Sequence, residues 1–303
     1  MYPEMKAPQK EAVDLPECET QLCRMNAKRG YLPEDDINFT PDAVQKMRTA
    51  SRHVRYLINE GYDLKQASTF VGNHFCLSER QRLAVMRSAA TNDQLFFRRS
   101  RQISFSALAG KETFAALAGK ETFAALTDKE TFAALADKET FTSLAGKEVW
   151  IDGFNTIITL EVLLSDSPLF ECMDGAIRDL AALLGTYRLI PETIEAIRLL
   201  FGILTGWNVT KANILLDEPV SNSGRLKCLM AEIGEAYSLE LDIRILKDVD
   251  RTLYGKEFII TSDSIILDHC GSWINLVSEC MRKLGREGIR LWDGEEDDKY
   301  EPD

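Results

Sequence analysis

Apolar and polar positions follow two different periods along the chain, and the change falls near residue 148. Between Thr40 and Ala89 the apolar and small residues recur at steps of three and four. Val44, Met47, Ser51, Val54 and Ile58 share one face of a helix that opens at Thr40-Pro41-Asp42 and stops at Gly61. A capping hydroxyl, a first-turn proline and an acid at the positive end favour that start, and glycine favours the stop. Asp63 is placed to cap a second short helix through Val71. Gly72-Asn73 breaks it, and Ser78 with Gln81 makes a capping box for a third, SERQRLAVMRSA. From Val149 onward, short apolar runs alternate with helical periods. Strands are expected at 149–151, 169–174, 212–217, 239–246 and 256–261, and helices from about 157, 191, 224 and 271. This alternation predicts an α/β domain with a Rossmann-like, mostly parallel sheet and helices on both faces, preceded by a small all-α domain.

Between the two patterns lies an internal repeat. Phe105, Phe114, Phe123, Phe132 and Phe141 recur every nine residues, and the last unit runs into the Val149 strand. Nine residues make two and a half helical turns, so successive phenylalanines fall on opposite faces of a straight helix. Short helical pieces, turns between TFAAL strands and a mobile linker all fit, and no chemistry attaches to the segment. The layout is a loose arm at 1–39, a helical domain at 40–103, a nonapeptide-repeat linker at 104–148, an α/β domain at 149–292 and an acidic tail at 293–303.

Charge sharpens this division. The net charge is -12, yet Asp42 to Ile103 holds eleven basic residues against five acids. A basic module on an acidic chain suits a polyanion, and the helical segment has the look of a helix-turn-helix with a long turn. Arg80, Arg82 and Arg87 on its third helix are candidates for nucleic-acid phosphates. The alternative is a three-helix bundle packed on its partner domain. No apolar run reaches the ~18 residues of a membrane span, and the polar N-terminus is not a secretory signal. Seven scattered cysteines without an export signal point to reduced thiols and a cytoplasmic chain. Cys18, Cys23, His74 and Cys76 lack the short spacings of a zinc site.

The chemistry concentrates where strands end. Asp152, Asp174, Asp217, Asp248 or Asp250, and Asp263 each follow an expected strand. In a parallel sheet those ends share one edge, with neighbouring strands about 4.8 Å apart. Crowded carboxylates raise one another's pKa and suit a hard cation, Mg²⁺ or Mn²⁺. Each is equally placed to be a turn residue or helix cap. Ser221, Asn222, Ser223 and Arg225, after Asp217, form a small polar loop before a helix that suits phosphate. Asn155 after the first strand and Arg178 after the second are further substrate-binding candidates. No GxxxxGK[ST] loop, G-x-G-x-x-G turn or nucleophile elbow is present. His269 is read as incidental.

Through IDGFN (151–155), the strand ending at Asp217 and TSDSIILD (261–268), the second half resembles the PIN/NYN superfamily of metal-dependent ribonucleases. That resemblance implies acids at the carboxyl edge of the sheet that hold Mg²⁺ or Mn²⁺ for phosphodiester hydrolysis. Asp152, Asp217 and Asp263 are the catalytic acids it implies, and Asp268 a further metal ligand beside Asp152, Asp174 and Asp263. The family's mid-domain acid is unassigned among Glu161, Asp174 and Asp179. The whole chain also resembles a prokaryotic two-domain family, through Gly61-Tyr62, Gly72-Asn73, Leu77-Ser78 and Gln81-Arg82 ahead of the α/β domain. The functional expectation is a metal-dependent nuclease acting on RNA rather than DNA, without membrane association; homo-oligomers are left open. The alternatives are a non-catalytic nucleic-acid-binding or assembly module and a small-substrate phosphohydrolase.

Overall fold

A computed structural model describes residues 28–103, 144–181 and 185–292. The helical part comprises α1 (Asp35–Asn38), α2 (Pro41–Asn59), α3 (Leu64–His74), α4 (Glu79–Ser88) and α5 (Asn92–Arg101). Asp63 caps α3 by accepting the Gln66 N–H, and Ser78 and Gln81 form the capping box of α4. α5 was not foreseen, although Thr91 and Gln94 make a second capping box at its start. Residues 28–39, read as part of a loose arm, are tied down. Arg29 pairs with Glu161 at 2.8 Å and Asp35 with Arg80 at 2.6 Å. The repeats from 104 to 143 and the tail from 293 lie outside the described residues.

The α/β part runs β2 (Glu148–Asp152), α6 (Gly153–Leu164), β3 (Leu169–Glu171), β4 (Ile177–Asp179), α7 (Pro191–Gly206), β5 (Lys211–Asp217), α8 (Ser223–Gly234), β6 (Glu240–Leu246), α9 (Val249–Leu253), β7 (Ile259–Ile260), α10 (Ser264–His269), β8 (Trp273–Ile274), α11 (Leu276–Lys283) and β9 (Ile289–Arg290). Six strands form one parallel sheet in the order β1-β8-β7-β2-β5-β6, where β1 is Gln102–Ile103 from the end of the helical part. The chain moves outward from β2 through β5 to β6, then crosses back to β7 and β8 on the other side of β2. The reversal makes the carboxyl ends of β2 and β7 the switch point, where open α/β sheets place their ligands.

The expected strand at 169–174 is corrected. It stops at Glu171 and belongs to a separate three-stranded sheet, β4-β3-β9, antiparallel to β4. Asp174 accepts the Ala176 N–H and Gly175 has φ +82°, so the chain turns there into a hairpin. The expected closing helix from 271 is likewise split. Trp273 and Ile274 add a strand before Asn275 caps α11.

The main core lies between the parallel sheet and α6, α7, α8 and α11. The helical core is continuous with the small sheet, because Phe170, Cys172, Leu180 and Leu291 pack among Met47, Val54, Val71 and Val85. Gly153 marks the tightest joint near the switch point. A Cβ there would lie 2.6 Å from Leu216 Cδ2 and 2.8 Å from the Leu215 carbonyl oxygen. Gly153→Ala should cost about 1–3 kcal/mol in urea unfolding. Gly224→Ala, into open space on α8, should be neutral or stabilise by up to ~1 kcal/mol.

Candidate active site

Asp152 ends β2 and is buried, and its Oδ2 accepts the Thr261 hydroxyl at 2.9 Å. Asp263 follows β7 and caps α10, where its Oδ1 accepts the N–H groups of Ile265 at 2.7 Å and Ile266 at 3.3 Å. Asp217 ends β5, and Asp250 stands in the first turn of α9 after β6. These four carboxylates feel one another. Burial pushes Asp152 up to about 8 from 3.8, with the nearby Asp263 and Asp217 charges adding to the rise and Thr261 opposing it. Burial and then Asp250 raise Asp217; partial burial and then Asp263 raise Asp250. Among the described residues none of the four makes a salt bridge.

Asn155, at the start of α6, stitches the switch point together. Its Oδ1 accepts from the Ser262 N–H at 2.8 Å and the Ser262 hydroxyl at 3.0 Å, and lies 3.3 Å from the Thr261 hydroxyl, whose proton goes to the nearer Asp152. The backbone donor fixes the amide orientation, so Nδ2 faces away from these groups. Thr261 and Ser262 stand in the TSDSIILD segment, but were given no role from the sequence. The signal was there in Thr261-Ser262-Asp263, a run of small polar residues directly after a buried strand.

The other candidates are placed elsewhere. Asp174 sits in the hairpin turn of the small sheet, 1% exposed, and binds Arg178 at 2.6 Å and Arg98 at 2.9 Å. Burial alone would raise it, but Arg178 and Arg98 outweigh burial and hold it below the ordinary carboxylate range. Asp268 on α10 grips Arg98 through both oxygens, at 2.6 and 2.9 Å. Both acids are therefore already neutralised by arginine. Arg178 spends its donors on Asp174, the Ser262 carbonyl and the Arg87 carbonyl. Glu161 is held by Arg29, Tyr187 and Thr193, and Asp179 by Thr159 and the Ala181 N–H.

The polar loop after β5 is turned inward. Ser221 and Asn222 both bond the Tyr187 backbone, and Asn222 adopts φ +62°. Ser223 begins α8 half-buried, and Arg225 is exposed two residues on. In the helical part, Arg80 is a strut between Asp35 and the carbonyls of Gly30 and Leu180. Arg82 braces the Thr69–Leu77 turn. Arg87 donates to the Asp179 carbonyl and faces the sheet edge. The three arginines thus do not form one open basic face.

Oxygen-only donors suit a hard cation. Among the described residues, no three His, Cys, Asp or Glu side chains are gathered closely enough to cage one. Mg²⁺ often takes one or two carboxylates and completes its shell with water and substrate phosphate. The Asp152 and Asp263 pair fits that mode, and a cage of Asp152, Asp174, Asp263 and Asp268 does not. No helix among the described residues is long and apolar enough to cross a membrane. Cys76, Cys172, Cys228, Cys270 and Cys280 are free thiols.

Residues 141–279 match a family described as Domain of unknown function (DUF5616), and residues 46–101 one described as Protein of unknown function (DUF434). Over 240 residues the chain is 30% identical to the uncharacterized protein MJ0935 of Methanocaldococcus jannaschii, covering 78% of this chain and 98% of that protein. The chain belongs to the MJ0935 family. No solved structure matches it. The DUF5616 match begins at Phe141, the first residue of the last nonapeptide.

Two tests follow from the charges. In the folded protein Asp152 keeps its proton up to about pH 8, whereas the unfolded chain releases it near 3.8. Folding then binds a proton, so this stabilisation is full below pH ~4 and lost as pH rises through ~8. In EDTA, Asp152→Asn should melt close to wild type at pH 4.5 and several degrees above it at pH 8.5. Asp174→Ala leaves Arg98 and Arg178 short of a partner and should cost about 3–5 kcal/mol, read by urea unfolding.

Proposed function

We propose that the protein is a metal-dependent phosphodiesterase of PIN/NYN type, acting on RNA at the carboxyl edge of the parallel sheet. The observation that carries this reading is the group of Asp152, Asp217, Asp250 and Asp263. They crowd one another at the switch point without a salt bridge among the described residues. Like charges brought together at a cost to the fold are a mark of function. A divalent cation held by Asp152 and Asp263 would polarise a phosphoryl oxygen and make a water more acidic.

The chain's own groups supply the rest. Asn155 locks Thr261 and Ser262, and so fixes the segment that carries Asp263. Thr261 holds Asp152 in place by its hydroxyl. Asp217 and Asp250 flank the centre and are placed to accept a proton from an attacking water. Asp174, Asp268 and Arg178 leave the catalytic list and become its scaffold.

One observation favours a second reading, a nucleic-acid-binding or assembly module without catalysis. No three donors stand within caging distance of one another among the described residues.

Melting curves with Mn²⁺ or Mg²⁺ and turnover of a short single-stranded RNA separate the two. The hydrolytic reading expects the cation to raise Tm in wild type but not in an Asp152→Asn, Asp263→Asn double variant, because a ligand stabilises only the state that binds it. It also expects RNA cleavage to fall at least 100-fold in that variant. Cleavage that survives the double substitution would remove the acidic edge as its site, and no cleavage and no Tm shift in wild type would leave the binding module.

A further inference from the structure

A cleft of about 390 Å³ lies between the helical part and the sheet edge. Leu64, Met86 and Arg87 line one wall, and Asn155, Ser262 and Asp263 the other. A larger groove of about 870 Å³, beside Phe39 and Met281, touches none of the four edge acids.

Three arginines line the cleft, and they differ in what they have left to give. Arg98 is neutralised by Asp174 and Asp268, and Arg178 by Asp174. Arg87 gives Nη1 to the Asp179 carbonyl and stands 3.5 Å from the Asp179 carboxylate, which Thr159 and the Ala181 N–H already engage. Its Nε and Nη2 have no protein partner among the described residues, and its side chain is 32% exposed. Across the cleft, the Asn155 oxygen accepts from the Ser262 N–H and hydroxyl, and its Nδ2 has no partner among the described residues. A guanidinium and an amide, both with spare N–H groups and both beside Asp263, form a donor pair for an oxyanion. The acids alone would repel one.

Size narrows the ligand. A cleft of this volume sits near the lower end of the roughly 300–1,000 Å³ range of small-molecule sites. It admits one nucleotide and excludes a double helix. Leu64, Met86 and Ile265 offer apolar surface to a base.

We propose that this cleft binds a single phosphorylated nucleotide unit, with Arg87 of the helical part and the Asn155 amide on its phosphate. The proposal rests on the reading of the acidic edge as a phosphoryl-acting site, and it makes the helical domain part of that site. The unit has two sources, a free mononucleotide or the phosphorylated end of a single strand.

The test is calorimetry on the full chain in EDTA. The probes are AMP, a hexaribonucleotide phosphorylated at both ends, the same strand without terminal phosphates, and a blunt RNA duplex. AMP or the phosphorylated strand should bind at least tenfold tighter than the other two, and whichever binds more tightly names the source. Arg87→Gln should weaken that binding about tenfold or more. Ile265→Trp, at an exposed residue, narrows the cleft without touching a polar group and should do the same with an unchanged melting curve, so the test survives if Arg87→Gln fails to fold. Wild-type affinity in both variants, or preference for the duplex, overturns the proposal. Binding lost in the variants, with no cation-dependent turnover in wild type, keeps the cleft and removes the hydrolytic reading. Turnover lost in Asp263→Asn, but with KM unmoved by both cleft variants, keeps hydrolysis and removes the cleft.

Discussion

A guanidinium that is 2% exposed must have its charge met inside the protein, and Arg98 meets it with carboxylates from two places in the α/β part. Asp174 comes from the hairpin of the small sheet and Asp268 from the helix after β7. Arg178 closes the network by binding Asp174 and the Ser262 carbonyl. The backbone joins in, because the Trp273 indole donates to the Arg98 carbonyl at 2.7 Å. Isolated charges this deep would cost several kcal/mol each. The arrangement is tolerable only when every member is present, which makes the docking of helices on sheet all-or-none. The position of α4 and Arg87 over the acidic edge follows from that docking.

The same network explains which acids are left over for chemistry. Acids met by arginine are settled; those at the carboxyl ends of β2, β5 and β7 and in α9 are not. Asp152 shows the tension most directly. It is buried where water cannot solvate it, beside two like charges, with the Thr261 hydroxyl and the Asn155 backbone N–H in support. A fold that keeps such a group gives up stability near neutral pH, and the sequence around it is specialised to hold it there. Gly153 lets α6 begin against β5 at once, and Asn155 ties the far side.

Much of the fold was legible because it depends on local signals. The capping residues of α3 and α4, Pro191 at the start of α7 and the apolar runs of β2, β5 and β6 each declare an element without reference to the rest of the chain. The misreadings share a different cause. LFECMD looks like any buried strand, and only its partner, β4 rather than β2, assigns it to a second sheet. Trp273-Ile274 is too short to stand out, and pairing on both sides makes it a strand. At the site, Asp152, Asp217 and Asp263 could be located by strand ends alone. Asp174 and Asp268 could not be told from them, because the Arg98 that both acids bind lies 76 and 170 residues away along the chain, and Arg178, four residues past Asp174, reads equally well as a substrate-binding residue. Arg80 and Arg82 looked basic and available for the same reason: the carbonyls that occupy them are invisible to composition.

One consequence belongs to the two residues of β1. Gln102 and Ile103 pair with Trp273 and Ile274 at the border of the sheet, and β2 lies at its centre. The segment that carries the nonapeptides therefore leaves one strand of a sheet and returns to another strand of the same sheet. Its two ends are anchored in that one sheet, at β1 and β2. A change in the number of units thus alters the chain between two strands whose register is set by other partners, β8 for β1 and β5 and β7 for β2.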